Sequence, residues 1–350
     1  MKYTSLKFDA QLLYMDKPEA IVKELTSFLS DLKISPQSIA MIEVYAVINN
    51  NDDYLSCSST LTSALSQIYK EQPPAHSLVA QKPVQNPDDA LMRISICDEN
   101  LSLKHKIFQK HHYSLIMSND EKIILSGAIS FNWTNDMMRN VQSSFDFIEQ
   151  LLDHEEMHMG HIAHQVNYIE GINSKDKEPS TGWNNQQILD EIRKLYFDPT
   201  LFKHGYPVQT YANTTAGNYI TSFVAAVKDG FPTAQFDLGI QSGKNETIIS
   251  YVPGLNKAMI GNLCSESESS MQEQLHSGIN NLKQVVEESG LNVSDIFDEI
   301  KITIVDENDL ETVEKEIVNI IKANKLTILN ASLKGGDKIE IEAFITATRK

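Results

Sequence analysis

Apolar positions in the last third of the chain change their period in a fixed order. In HSGINNLKQVVEESG (276–290), Ile279, Leu282, Val285 and Val286 recur at helical spacing, and Gly290 stands where such a helix would end. DIFDEIKITIVDE then alternates apolar with polar residues, which predicts a strand, and DLETVEKEIVNIIKANK (309–325) returns to helical spacing. LTILNASL and KIEIEAFITAT close as two strands, and Gly335 with Gly336 predicts the turn between them. A hairpin-like stretch from about Gln235 to Asn262 precedes the first helix, so the predicted order is ββαβαββ.

The same order occurs twice more. HHYSLIMSNDEKIILSGAISF reads as a hairpin, VQSSFDFIEQLLDH as a helix and HQVNYIEGI as a strand. NNQQILDEIRKLYF follows as a second helix, and PVQTYANTT and NYITSFVAAV as closing strands. Nearer the start, EAIVKELTSFLSDL, SIAMIEVYAVI, STLTSALSQIYK, HSLVAQKP and ALMRISICD give helix, strand, helix, strand, strand. The chain therefore divides into three tandem units, 1–103, 104–230 and 231–350, the first less regular than the third. Helices of this length between strands cover one face of a sheet and leave the other bare. Burying the bare faces against one another predicts an α/β (α+β) protein whose three linked units form an intramolecular pseudo-trimer, which argues for a monomer.

Charge narrows the partners. A net charge of -17 repels nucleic acid phosphates and anionic lipid, and no local basic patch offsets it. The start of the chain has scattered charges and no apolar segment of signal-peptide length, and no run of about 18 apolar residues occurs, so no membrane association is expected. Cys57, Cys97 and Cys264 are far apart and form no CxxC, which suggests neither a disulfide framework nor a thiolate metal site. A reducing, cytoplasmic setting is the expectation.

Several short segments resemble the RidA (YjgF) family. NLKQVVEESGLNVSDIFDEIKITIVDENDL is similar to that family's helix, glycine stop and strand, and KIEIEAF to its final strand. YSLIM (113–117) and ILSGAIS (124–130) are similar to its hairpin. Trimers of that family carry sites between neighbouring subunits, where an arginine binds a carboxylate and a glutamate positions water or a proton. The resemblance puts the arginine place at Lys325 and the glutamate place at Glu340 in the third unit. In the first unit the corresponding places hold His76 and Arg93, and in the second the arginine place holds Gln209. A single chain of this length with three such units also resembles the chorismatases, which hydrolyse chorismate to pyruvate and a cyclic carboxylic acid without a cofactor. The resemblance implies that Glu340, or failing it Glu342, is the acid that protonates the enolpyruvyl methylene.

The residues themselves bear on that chemistry. A period of two puts Glu340 and Glu342 on one strand face, where a like-charge pair raises the apparent pKa of one member. The bland alternative is a solvated strand face. Lys325 follows a helix and could serve either as a cation at its C-terminus or as a carboxylate anchor. Arg93, with apolar neighbours in LMRISI, needs a counter-charge or an anionic ligand. His76 and Tyr113 are further candidates for contact with a small carboxylate substrate, His76 as a strand-edge residue and Tyr113 through its ring and hydroxyl. His154, Glu155, Glu156, Met157 and His158 spell HExxH, but the repeat ends the helix near His154 and puts His164 in the next strand. A polar turn is the preferred reading, so no metal is expected. The leading expectation is a chorismatase-like enzyme acting on chorismate or a similar small cyclic carboxylate. The alternatives are a deaminase of imines and enamines and a non-catalytic metabolite-binding pseudo-trimer.

Overall fold

The structure is a computed structural model and describes the chain except residues 85–87, 119–120, 132–135, 180, 201, 203–206, 229–230, 233–234, 243–244, 262–269, 334–336 and 350. Cys264 and the turn expected at Gly335 and Gly336 lie outside the described residues. The first unit runs β1 (Lys2–Asp9), α1 (Gln11–Tyr14), α2 (Pro18–Asp31), β2 (Ile39–Tyr45), α3 (Asn51–Tyr69), β3 (Ala75–Val79), β4 (Lys82–Pro83) and β5 (Asp89–Ile96). The second runs β6 (Ser102–Phe108), β7 (His111–Ser118), β8 (Glu121–Ile129), α4 (Met137–His154), β9 (Ile162–Glu170), α5 (Asn185–Phe197), β10 (Val208–Thr214), β11 (Tyr219–Lys228) and β12 (Phe231–Pro232), so its sheet reaches slightly past the expected limits of 104 and 230 at both ends. The third runs β13 (Gln235–Ser242), β14 (Asn245–Val252), β15 (Lys257–Gly261), α6 (Met271–Glu288), β16 (Leu291–Val293), β17 (Glu299–Ile304), α7 (Leu310–Ile320), β18 (Leu326–Asn330) and β19 (Ile339–Arg349).

The repeat is visible in the pairing. Four strands recur in the same order and sense, as β3-β2-β5-β1, β10-β9-β11-β8 and β18-β17-β19-β15. In each set the first pair is parallel and the next two are antiparallel. The units differ at their N-terminal edges. The first has one strand ahead of its helices, whereas the second and third have three rather than the expected two. β6 escapes the sequence pattern because SLKHKIF pairs only at the sheet edge and stays partly solvated. In the third unit a tight turn at Pro253–Leu255, completed by Asn256 at φ 49°, splits the apolar run into β14 and β15.

Local chemistry sets the helices. Ser270 and Glu273 form a reciprocal capping box at the start of α6, Leu275, Ile279, Leu282 and Val285 bury one stripe of it, and Gly290 follows its end at φ 67°. Asn184 and Gln187 cap α5 in the same way, and Ile188, Leu189 and Ile192 fix its buried face. α7 ends at Ile320, so Lys325 stands beyond the helix rather than at its terminus.

Each sheet buries one face under its own helices. On β19 that face carries Ile339, Ile341, Ala343 and Ile345. The opposite faces meet in a central core shared by all three units, with Met41, Ala75, Leu125, Val224, Met259 and Phe344 among its members. Among the described residues no helix is long and apolar enough to cross a membrane.

The units approach closely enough for a single glycine to matter. A Cβ on Gly127 of β8 would fall on the backbone of His76 in β3. Gly127→Ala should therefore destabilise the protein by about 1–3 kcal/mol through overpacking at the first–second junction. A lowered urea midpoint with unchanged slope is the expected outcome.

Candidate functional site: a carboxyl pair at the junction of the second and third units

The polar residues that alternate with the strand apolars do not face water. Glu43 and Arg93 of the first unit, His164 of the second, and Glu299, Lys301 and Glu342 of the third are all buried. They converge where the three sheets meet, and most of them line a small central cavity. The Arg93 guanidinium lies between two carboxylates: Nε donates to Glu299 Oε2 at 2.7 Å, and Nη1 pairs with Glu43. The rings of Tyr3 and Phe344 flank it, at 4.7 and 5.0 Å to their centroids. Lys301 Nζ pairs with Glu342 Oε1 at 2.5 Å, and His164 Nε2 lies 3.5 Å from Glu342 Oε2.

β19 then presents a second carboxyl on the same face. Glu340 stands opposite Thr303 of β17, as Glu342 stands opposite Lys301. It is buried, and its Oε1 accepts a 3.2 Å hydrogen bond from the backbone N–H of Tyr211. β10 is the edge strand of the second sheet, so this N–H points out of the sheet and meets the third unit. Burial and the negative charge of Glu342 push Glu340 up to about 8, against the N–H of Tyr211 and the charge of Lys301. Burial also raises Glu342, but Lys301 and His164 outweigh it and hold that carboxyl at about 2. The pair is thus split into one neutral acid and one anion.

Around the Tyr211 end of the junction sits a guanidinium. Arg193, on α5, donates through Nη1 to Gln209 Oε1 at 2.5 Å and also to the Tyr211 hydroxyl. Gln209, which the resemblance led one to expect in an arginine's place, is thus bonded to an arginine delivered by a helix. Arg193 was legible only as one of four arginines, because on an amphipathic helix a lone arginine reads as a solvated residue. Lys301 was equally hidden in the alternation of EIKITI.

The other candidates fall elsewhere. Arg93 is engaged by Glu43 and Glu299 rather than free for a ligand, because a guanidinium this deeply buried must be neutralised internally. Lys325 bonds Ser5 Oγ and lines a cleft between the first and third units, together with Lys7, Asp89, Leu91 and Thr327. Glu340 instead faces the second unit, so the two are not brought together. Tyr113 is fully buried and donates to Glu155 Oε1 at 2.5 Å. His76 is held by Pro74 O at 2.9 Å and Thr62 Oγ1 at 3.2 Å, and its ring lies 5.4 Å from that of His112. The HExxH residues do not share a helix face. His154 ends α4, Glu156 takes φ 58°, and His158 begins the next turn. Glu155 is bound by Lys106 and Lys122 as well as by Tyr113.

No protein-family model and no curated protein matches the chain. Among solved structures it is similar to a chorismatase, with a TM-score of 0.59 and 10% identity over 98% of each chain. The full-length likeness shows that the two share a fold. A YjgF-family protein from Neisseria meningitidis matches 38% of this chain and 100% of its own length, with a TM-score of 0.28 and 8% identity. One from Streptococcus pyogenes matches 37% and 99%, at 0.28 and 12%.

Two outcomes follow from the charges. Arg93→Met leaves Glu43 and Glu299 buried without their cation and should cost about 3–5 kcal/mol in chemical denaturation. The second outcome concerns acid. Burial holds His76, His105 and His161 at about 4 and His111 at about 3, below the ordinary 6.5. The unfolded chain therefore binds more protons in this window, and stability should fall as pH drops through 6.5 toward about 4. Glu340 acts in the opposite sense between about 8 and 4.5, as one proton against several. Urea midpoints should peak near neutral pH, and His111→Gln should flatten the acid limb.

Proposed function

We propose that the chain is a chorismatase-like enzyme that cleaves the enolpyruvyl group of chorismate, or of a similar small cyclic carboxylate, giving pyruvate and a hydroxylated ring acid. The observation that carries the reading is Glu340, a buried carboxyl that keeps its proton at neutral pH because burial and Glu342 disfavour its ionisation. Protonating an enol ether at carbon requires such an acid.

In the proposed reaction Glu340 gives its proton to the enolpyruvyl methylene, which becomes a methyl group. Positive charge develops on the ether-bearing carbon, and the Glu340 carboxylate left behind faces it. Water adds its oxygen to that carbon and returns a proton to Glu340. The resulting hemiketal collapses, breaking the bond between this carbon and the ring oxygen, and releases pyruvate and the ring alcohol. Arg193 is the proposed anchor for a substrate carboxylate, since its guanidinium lies next to Tyr211, whose N–H already binds Glu340. The balance needs only substrate and water, so the reading involves no cofactor.

Incubation with chorismate, with pyruvate followed through lactate dehydrogenase, tests it. Wild-type protein should release pyruvate, Glu340→Gln should lower kcat at least ~100-fold, and Arg193→Met should raise KM roughly tenfold. Because the acid must be protonated, kcat/KM should fall as pH rises through about 8. No release by the wild type, or release that survives Glu340→Gln, overturns the reading.

A further inference from the structure

Two carboxyls two residues apart on one strand face are chemically equivalent until their surroundings distinguish them. Their backbone attachment points are separated by roughly 6.5–7 Å, close enough that both cannot ionise freely in a buried setting. Something must decide which one holds the proton. Facing Glu340 are Glu342 on its own strand, Lys301 on β17, Asp337 just before β19 and the Tyr211 N–H on β10. Facing Glu342 are Lys301 again and His164 on β9. Lys301 in turn lies 5.9 Å from the Tyr168 ring centroid and feels the charge of Glu43.

The asymmetry lies in Lys301. Its ammonium is fixed by register: β17 and β19 pair so that residue 301 stands directly opposite residue 342, while the residue opposite 340 is Thr303, which carries no charge. With the ammonium 2.5 Å from one carboxylate and aligned across the strand, Lys301 favours one member of the pair over the other by geometry alone. We infer that Lys301 is a positioning residue that selects the acid: by locking Glu342 as the anion, it leaves the proton on Glu340. Glu342 then serves as a fixed negative charge that disfavours loss of that proton, and neither Lys301 nor Glu342 has to touch substrate. The inference rests on the reading of Glu340 as the acid, and adds to it which groups make it one.

The test follows carboxyl protonation in the full chain by difference infrared spectroscopy, using the C=O stretch of the neutral acid, and so requires no turnover. Wild-type protein should show a buried acid at pH 7 that Glu340→Gln removes. Glu342→Gln should lower the Glu340 midpoint by about one to two pH units. Should that variant leave Lys301 too poorly neutralised to fold, Lys301→Met with Glu342→Gln removes both charges together, and the midpoint should again fall, by less. Lys301→Met combined with Glu340→Gln should restore a neutral acid at pH 7, now on Glu342, where Glu340→Gln alone shows none. A Glu340 midpoint unmoved by loss of Glu342, or no acid signal in the Lys301→Met, Glu340→Gln protein, overturns the inference. Protein that titrates as described but leaves chorismate intact would instead sink the proposed reaction and leave the role of Lys301 standing.

Discussion

Everything in this molecule depends on how it handles charge where its three sheets meet. A sheet covered by helices on one face must bury the other or expose it, and here the three bare faces bury one another. They carry glutamates, an arginine and a lysine as well as apolar side chains, and such groups cannot be withdrawn from water singly. Arg93 resolves this by joining the first sheet to the third through Glu43 and Glu299, while Lys301 neutralises Glu342 within the third and His164 of the second lies beside that carboxylate. A buried network of this kind contributes little net stability compared with apolar packing, but it penalises any other arrangement of the units.

Three similar units would make three similar junctions, and the structure has made them unlike. Between the first and second, Gly127 lies against the His76 backbone, the Ala75 N–H donates to Ser114 Oγ at 3.1 Å, and several neutral imidazoles fill the remaining space. Between the third and first, Lys325 and Ser5 line a cleft whose described lining residues include no carboxyl pair like that of β19. Among the described residues, the second–third junction joins a carboxyl whose ionisation burial disfavours to an anion beside it, with the Arg193 guanidinium on the hydroxyl of Tyr211. The last unit carries the EIE strand, the second contributes Arg193 and Tyr211 at its border with the third, and the first contributes Arg93 and Glu43 to the central network. This division of labour is open to a fused chain, because each copy can change independently of the other two.

The fold was largely legible because periodicity survives burial: helices and strands of each unit announce themselves through spacing, and the order of spacing repeats. The edge strands were not, since β6 is partly polar and the split between β14 and β15 depends on a left-handed Asn256 that a continuous apolar run conceals. That Glu340 and Glu342 share one strand face could be read from the alternation. Their difference could not, because it depends on cross-strand register with Lys301 and Thr303. Arg193 was missed for a related reason: its partners Gln209 and Tyr211 lie 16 and 18 residues away, and only the packing of α5 over β10 brings them together. Arg93 shows the converse, where the need for a counter-charge was plain and its source, 206 residues distant in Glu299, was not.

In the proposed function, chemistry belongs to the second–third junction and not to the cleft at Lys325. A crystal structure of the Glu340→Gln protein soaked with chorismate decides it most directly. The ligand should lie beside position 340, with its enolpyruvyl methylene toward the amide that replaces the Glu340 carboxyl and a carboxylate on Arg193; a ligand seated instead against Lys325 and Ser5 would overturn the proposed function.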